Sequence, residues 1–324
     1  MKKIIAVLLA VALVFSFAAC GGKDNGGETA AAKLRFVTGG ESGTYYAFGS
    51  VIAQHATNNA GITVIGRSGN GSQANVMELK EGTAELAFCQ SDVMAYAYNG
   101  TNLFEKDGKV DCFSTVAALY TEQVQIITTN PDIKTVADLK GKNVSIGAAG
   151  SGCYFNAIDI LGVYGLTEDD IKPTYQSFGD SAEAIKDGLI DAAFIVAGAP
   201  TTAVVDLATT KDVYLVSLDD EHVEQLIANS PFYSKCVIPA ETYKGVAEAT
   251  TVGVGAVILA KDDVSEDAVY AFVKDIFDNA ESQVEAHDKY KELSLEYASS
   301  ITSVPYHAGA VKYFAEKGIT VTGK

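Results

Sequence analysis

The sequence predicts an α/β protein of two lobes, with a central cleft between them and two strands that cross from one lobe to the other. Three observations predict this fold. Strand-like and helix-like segments alternate along the chain, one block of such segments occurs twice, and two β-rich runs are long enough to serve both lobes. Regular alternation of strands and helices is typical of parallel α/β sheets.

The first twenty residues have the pattern of a secretory signal. Two lysines follow Met1, residues 4–19 are almost entirely apolar, and the stretch ends in the letters FAAC. Small residues before a single cysteine are typical of a bacterial lipoprotein cleavage site. The sequence therefore predicts that residues 1–20 form a signal peptide and that Cys20 becomes a lipid-bearing N-terminus. Ordinary cleavage after Ala19 stays open as the alternative.

A flexible tether is predicted over residues 21–32, which read GGKDNGGETAAA and contain no large apolar side chain. Such a segment buries too little surface to fold by itself. No later segment offers about 18 consecutive apolar residues, so we expect no further membrane span. The remaining part of the chain is long enough for two lobes with hydrophobic cores.

Charge and cysteine content exclude several classes of partner. The chain has a net charge of −17, which disfavours nucleic acid and anionic membranes as partners. Besides Cys20 it contains Cys89, Cys112, Cys153 and Cys236, none of them in a CxxC pair, so a zinc site is not expected. The sequence leaves open whether these four thiols form disulfides or are buried as small apolar groups.

The repeated block indicates that the chain contains two similar lobes. Residues 78–88 read ELKEGTAELAF and residues 184–194 read AIKDGLIDAAF, while residues 42–46 read SGTYY and residues 151–155 read SGCYF. In both copies the order is strand, Ser-Gly turn, helix, strand, helix, glycine and strand. Chance similarity is the alternative, but two matched pairs in the same order favour a duplication.

Further β-rich runs complete the two lobes. Strands are predicted in lobe one at Ile62–Gly66 and Thr115–Tyr120, and in lobe two at Val213–Ser217. The runs Gln123–Thr129 and Thr251–Ala260 are interpreted as the two strands that cross between the lobes. Ser265 is expected to cap a following helix. These assignments place lobe one at residues 33–122 and 255–324, and lobe two at residues 123–254.

The Ser-Gly turns predict an anion site in the cleft. Ligands of parallel α/β sheets lie beyond the carboxyl ends of the strands, where both turns occur. Each turn also begins a helix, and the first N–H groups of a helix lack intrahelical partners and favour negative charge. A third turn, SGNGS at residues 68–72, precedes another helix. It matches a dinucleotide fingerprint only loosely, because it follows the second strand instead of the first.

Polar residues follow other predicted strands at the same edge of the sheet. Gln90 to Asp92 end one strand, Tyr120 and Glu122 end the next, and the run from Ala197 to Pro200 ends the repeated strand of lobe two. Arg67 also stands at a strand end, where either a bidentate contact to a carboxylate or a solvated position is consistent with the sequence.

Two other classes of function remain as alternatives. A secreted enzyme would use Cys153 or Ser151 as a nucleophile at a helix N-terminus, although neither has an identifiable base and no GxSxG elbow is present. The four histidines are scattered without metal-ligand spacing. A surface adhesin or structural lipoprotein would need neither a closed cleft nor a ligand.

The chain resembles the TAXI-type solute-binding proteins of TRAP transporters over nearly all of residues 33–320. The resemblance is carried by GGESGTYYAFG (39–49), GNGSQANV (69–76), GTAELAFCQSDV (82–93), ALYTEQVQII (118–127), TVADLKGKNVSIGAAGSG (135–152), KDGLIDAAFIVAGAP (186–200), VGVGAVIL (252–259) and HAGAVKYFAEKGI (307–319). Three positions depart from the family pattern: Ser42 replaces a glycine, Cys153 a threonine and Ala308 a proline.

The resemblance implies a type II periplasmic-binding-protein fold without a cofactor. It also implies a monomeric, extracytoplasmic receptor that binds glutamate-like amino acids or dicarboxylates and delivers them to a TRAP membrane permease driven by an ion gradient. Together with the strand end at Gly198, it gives these candidate ligand-binding residues: Gly43, Thr44, Tyr45, Ser72, Asn75, Gln90, Tyr120, Gly150, Ser151, Gly152, Cys153 and Gly198. Ser42 and Cys153 lie in the predicted cleft, so these departures leave the identity of the ligand open.

Overall fold

The computed structural model describes residues 32–324. The predicted signal peptide, the predicted lipidation site Cys20 and all but the last residue of the predicted tether lie outside the described residues. Within residues 32–324, no helix combines the length and the apolar character that a bilayer crossing requires.

The described chain contains ten strands and ten α-helices. The strands are β1 (Lys33–Val37), β2 (Thr63–Arg67), β3 (Leu86–Gln90), β4 (Phe113–Thr128), β5 (Asn143–Ser145), β6 (Lys172–Thr174), β7 (Ala192–Ala197), β8 (Tyr214–Leu215), β9 (Ser234–Ile238) and β10 (Ala249–Lys261). The helices are α1 (Thr44–Asn59), α2 (Ser72–Glu81), α3 (Ser91–Asn99), α4 (Gly152–Val163), α5 (Phe178–Lys186), α6 (Thr202–Ala208), α7 (Asp220–Asn229), α8 (Glu266–Asp278), α9 (Leu295–Ala298) and α10 (Ala308–Glu316).

The duplication predicted from the sequence is present in the topology. In the first α/β unit (β1 to α3), β1 pairs in parallel with both β2 and β3. In the second α/β unit (β5 to β7), β5 pairs in parallel with both β6 and β7. Gly82 and Gly188, the glycines of the repeat, follow α2 and α5 with φ of 70° and 72°. Glycine reaches this left-handed conformation without the steric cost that a Cβ would add.

Two long strands lie between the units and join them. The order in the sheet is β2-β1-β3-β10-β4-β7-β5-β6, so each unit contributes three parallel strands to one side of the central pair. β10 runs antiparallel to β3 and to β4, and β4 runs antiparallel to β7. This arrangement confirms the predicted fold class, a two-lobed type II periplasmic-binding-protein fold. The lobe boundaries given above stay a prediction.

One predicted break in the sheet is wrong. The sequence placed separate strands at Thr115–Tyr120 and Gln123–Thr129, whereas the structure has the single sixteen-residue strand β4. The first of these strands was predicted to end at Tyr120 and Glu122. In the structure Thr121 pairs with Gly255 and Glu122 with Val254 of β10, so the ladder continues through them.

Each unit has its own hydrophobic core. Phe36, Phe48 and Phe88 are completely buried in the core of the first unit, and Val269 and Phe272 of α8 are completely buried in the same core. Ile160 and Phe194 are equally buried in the core of the second unit. Burial of each such side chain contributes roughly 1.5–3 kcal/mol. Ser265 caps α8 as predicted, because its side chain accepts a hydrogen bond from the Ala268 N–H.

Candidate functional site

A cavity of about 340 Å³ lies between the two α/β units. Its wall contains the residues that precede and begin α1 and α2 in the first unit, and α4 and α5 in the second. Residues at the carboxyl ends of β3 and β7 complete the wall together with Glu122 of β4. The duplicated topology therefore brings the starts of four helices to one cavity.

Three of these helices begin without a side-chain cap. The N-cap residues Gly43 of α1, Gly71 of α2 and Ser151 of α4 form no side-chain hydrogen bond to the following turn. Backbone N–H groups at such positions lack intrahelical acceptors, and the helix dipole makes the same end favourable for negative charge. The cavity is thus surrounded by backbone donors that a bound anion would satisfy.

The start of α5 was not predicted as part of the site. Ser177, Phe178, Gly179 and Asp180 all line the cavity, and Ser177 caps α5 by accepting a hydrogen bond from the Asp180 N–H. The letters SFGD have the form of an N-terminal capping sequence. The capping sequence predicts a helix start after the short strand β6. In the repeat, this start of α5 corresponds to the start of α2 in the first unit.

Eight of the twelve candidate residues lie together in the cavity wall. They come from both units, as the repeat requires, and they are Gly43, Thr44, Tyr45, Ser72, Gln90, Ser151, Gly152 and Cys153. Whether each of them touches a ligand stays a prediction. The third glycine turn lies there as well, because Gly69, Asn70 and Gly71 belong to the same wall.

The other four candidates do not line the cavity. Asn75 donates hydrogen bonds from Nδ2 to the Thr38 and Phe88 carbonyls, which ties α2 to β1 and β3. Tyr120 is 1% exposed, and the carbonyl oxygens of Gly150 and Gly198 accept hydrogen bonds from the first unit. In this structure these four residues support the cavity, and a direct contact between any of them and a ligand stays a prediction.

Direct hydrogen bonds close the cavity between the two units. The Thr44 hydroxyl donates to the Gly198 carbonyl at 2.8 Å, and the Ala74 N–H donates to the Gly150 carbonyl at 2.9 Å. The Ala203 N–H donates to the Ser42 carbonyl at 3.2 Å. The structure is therefore a closed arrangement, in which the residues that begin the helices of opposite units are in contact.

The ionisable side chains of the wall are all acidic. Among residues 32–324, no lysine, arginine or histidine lines the cavity, whereas Glu41, Glu122 and Asp180 do. Glu41 and Asp180 are exposed, but Glu122 is 2% exposed. Burial raises the pKa of Glu122 well above its usual range, and the nearby Asp92 carboxylate adds to the increase. A bound anion would depend on backbone donors and not on a cationic side chain.

Several buried oxygen atoms of the wall have no hydrogen-bond partner within the described chain. They are Oε1 of Gln90, the hydroxyl of Tyr45 and Oγ of Ser151. Buried polar groups are rarely left without partners, so each of these atoms is an exception.

The structure shows which contacts Arg67 and Cys153 make, which the sequence left open. Arg67 forms an ion pair with Glu78 at the edge of the sheet and does not line the cavity, so it is not placed to bind a carboxylate there. The Cys153 thiol donates to the Phe194 carbonyl at 3.2 Å, and burial raises its pKa far above the usual range. A thiol of this kind is not activated as a nucleophile. Cys89, Cys112, Cys153 and Cys236 are all free thiols.

Solved structures of similar fold come from several organisms. A protein from Bordetella bronchiseptica RB50 is 17% identical over 88% of this chain and 89% of that one, with a TM-score of 0.53. A protein from Archaeoglobus fulgidus is 13% identical over 88% of this chain and 98% of that one, with a TM-score of 0.50. An alkanesulfonate-binding protein from Xanthomonas axonopodis pv. citri, bound to MOPS, is 15% identical over 88% and 91%, with a TM-score of 0.47.

The sequence also matches a family model along most of its length. The match covers residues 36–318, from the end of β1 to beyond α10. This coverage spans both α/β units and both crossing strands. The chain belongs to the NMT1-like family.

Proposed function

We propose that the protein is the extracytoplasmic solute receptor of a TRAP transporter of the TAXI type. In this proposal it is anchored to the membrane by lipid on Cys20 and acts as a monomer without a cofactor. It binds a small carboxylate, such as glutamate, a related amino acid or a dicarboxylate, and delivers it to the membrane permease.

The observation that supports this proposal is the meeting of helix starts around one cavity. Three uncapped helix N-termini and the start of α5 surround a volume of about 340 Å³, which suits a small molecule. Hydrogen bonds to a charged group contribute roughly 1.5–3 kcal/mol each, so about four of them support micromolar affinity after the loss of ligand freedom. The absence of a basic side chain from this wall favours compact anions that backbone N–H groups enclose.

A thermal-shift screen of the purified protein tests the ligand class. The probes are L-glutamate, L-glutamine, succinate and glutarate, and the diamide of glutaric acid is the matched uncharged control. A ligand at one hundred times its dissociation constant adds about 2.7 kcal/mol to the free energy of unfolding. We expect a shift with at least one of the carboxylates and none with the diamide. No shift with any carboxylate would contradict the proposal.

Transport in proteoliposomes tests the TRAP assignment separately. The receptor is added to vesicles that contain its permease, and uptake of the radiolabelled carboxylate is followed. We expect uptake that an ionophore abolishes and that does not need ATP inside the vesicles. Uptake that requires ATP would agree with the receptor function but would contradict the TRAP assignment.

The enzyme alternative receives no support from the site. Ser151 Oγ has no hydrogen-bond partner among the described residues, so no base is placed to activate it. The Cys153 thiol is held in its neutral form by burial. Both residues instead stand at the start of α4 and line the cavity.

A further inference from the structure

A second cavity, of about 310 Å³, shares no lining residue with the first. Tyr96 of α3 and the following Asn102 form the part of its wall that belongs to the first unit. Asp159 and Val163 of α4 belong to the second unit, and side chains from residues 226–233 complete the wall. An occupant of this second cavity would therefore contact both units.

The wall of the second cavity contains a carboxylate and no basic group. Among residues 32–324, no lysine, arginine or histidine lines it, whereas the half-buried Asp159 does. Oδ2 of Asp159 accepts a hydrogen bond from the Tyr233 hydroxyl at 2.9 Å. Oδ1 accepts none from the described residues, and it is not among their fully buried oxygen atoms. This oxygen is therefore an accessible acceptor in the wall.

A second acid increases the negative charge behind this wall. Asp92 is completely buried, and its pKa is raised to about 6, first of all by burial and in addition by the nearby charge of Asp159. Burial also raises the pKa of Asp159 itself. Within residues 32–324, no basic side chain offsets either increase. Carboxylates withdrawn from water are usually paired with a cation, so the electrostatics of this cavity favour a cationic ligand.

Aromatic and apolar side chains form much of the remaining wall. The rings of Tyr96 and Phe232 are 5.8 Å apart in an edge-to-face arrangement, and Tyr233 is a third aromatic residue. Val163 and Leu226 add aliphatic surface. Aromatic rings attract cations over their faces, and they recur in sites for organic ammonium ligands. A metal ion needs several oxygen or nitrogen ligands, and residues 32–324 contain no group of three acidic, histidine or cysteine side chains placed to hold one.

We infer that the second cavity binds a small alkylammonium ion, whose N–H groups donate to Asp159 and whose carbon atoms pack against the aromatic and aliphatic wall. This inference goes beyond the proposed function, because it concerns another cavity and a ligand of opposite charge. A ligand that contacts both units favours the arrangement in which they meet, so the cation should stabilise the closed protein.

Calorimetric titration with butylamine hydrochloride at pH 7.5 tests this inference. An alkylamine is protonated at this pH, and 1-butanol is the matched control of similar size without a charge. Both titrations use the same NaCl concentration, which keeps the ionic strength constant. We expect butylammonium to bind with a dissociation constant of about 1 mM or below, and 1-butanol not to bind at the same concentrations.

Two aspartate variants test whether the binding depends on this cavity. Asp159→Asn retains an oxygen that can accept from the Tyr233 hydroxyl but loses the charge, so the affinity for butylammonium should fall at least about tenfold. Asp212→Asn is the control, because Asp212 is exposed, lines neither cavity and gives the same change in net charge. Its affinity should equal that of the wild-type protein.

Tyr96→Leu gives a further readout, which does not depend on the folding of the Asp159 variant. It removes one aromatic ring and keeps an apolar side chain, so the affinity for butylammonium should fall about threefold or more. Thermal unfolding of each variant without a ligand shows whether it is folded.

The outcomes of these titrations are independent of the proposed function. No binding of butylammonium, equal binding of 1-butanol, or an equal loss of affinity in Asp159→Asn and Asp212→Asn would overturn the inference. Each of these results would leave a carboxylate receptor standing, because that proposal depends on the first cavity. A thermal-shift screen without any carboxylate ligand would likewise leave the cation site in place.

Discussion

At the scale of single residues, Glu122 is the deeply buried acid of the cavity wall. It lies on the crossing strand β4, is 2% exposed, and has a pKa raised well above its usual range, first of all by burial. A carboxyl group with a raised folded-state pKa retains its proton in the folded protein while the unfolded chain has lost it. The folded protein is therefore destabilised as the pH rises above about 4.5, the pKa of Glu122 in the unfolded chain, and the loss continues until the pH reaches the raised pKa of the folded state.

Replacement of this acid should stabilise the protein at high pH. We expect Glu122→Gln to match the wild-type free energy of unfolding near pH 4 and to exceed it at pH 8, with a difference that grows by at most about 1.4 kcal/mol per pH unit. Urea unfolding at both pH values measures this difference. A variant that is less stable than the wild type at pH 8 would show that the Glu122 carboxylate is favourably paired in the folded protein.

The thiols make a second prediction at this scale. Burial raises the pKa values of Cys89 and Cys153, and both side chains are within 3% of complete burial. We expect neither to react with a thiol reagent at pH 8 unless the protein is unfolded. Reagent labelling followed by peptide mass spectrometry tests this. Rapid labelling of Cys153 in the folded protein would contradict this prediction and support the enzyme alternative.

At the scale of elements, the strand and helix order was predictable because apolar periodicity and glycine positions are local signals. The repeat placed the helices after the Ser-Gly turns, and they begin there as α1 and α4. The continuity of β4 was not predictable, because it depends on pairing with β10, about 130 residues farther along the chain. The first strand was predicted to end at Tyr120 and Glu122, and only the pairing with β10 shows that the ladder continues.

The candidate site was predictable where it depends on helix starts and not where it depends on side-chain packing. Gly43, Ser72 and Ser151 lie in the cavity wall because they stand at or beside the helix starts that the turns indicate. Asn75 and Tyr120 are polar groups near the same strand ends, but their side chains are directed into the protein. No local pattern distinguishes these two orientations.

Two glycines of helix α4 provide a matched test of the cavity wall. Alanine at Gly152 would place its Cβ against Gln90 Oε1, whereas alanine at Gly162 would meet no atom within 4 Å. We expect Gly152→Ala to cost about 1–3 kcal/mol and to weaken carboxylate binding at least tenfold, and Gly162→Ala to stabilise the helix by about 0.5–1 kcal/mol without affecting binding. Thermal unfolding and calorimetric titration measure both effects. Equal binding by the two variants would show that the start of α4 does not contact the ligand.

At the scale of the whole molecule, the two units close on the cavity although the protein is strongly acidic. Backbone donors act only within hydrogen-bond distance, whereas the net charge of −17 repels an approaching anion over longer range. Salt screens the long-range term, since the Debye length is about 30 Å at 0.01 M and about 10 Å at 0.1 M. A change in ionic strength therefore separates the short-range attraction by backbone donors from the long-range repulsion by the net charge.

The association rate of a carboxylate ligand should rise with salt. We expect it to increase several-fold between 10 mM and 150 mM NaCl, with little change in the dissociation rate. Stopped-flow tyrosine fluorescence can follow the reaction, because the chain contains 16 tyrosines and no tryptophan, and Tyr45 lines the cavity. A rate that falls with salt would indicate that a cationic surface guides the ligand, contrary to this account.

The most direct measurement is a crystal structure with the carboxylate that gives the largest thermal shift. The account predicts that the carboxylate oxygens lie within about 2.7–3.2 Å of backbone nitrogens at helix starts from both units, such as those of α1 and α4. A carboxylate held by a lysine or arginine side chain, or bound outside the cavity between the units, would contradict it.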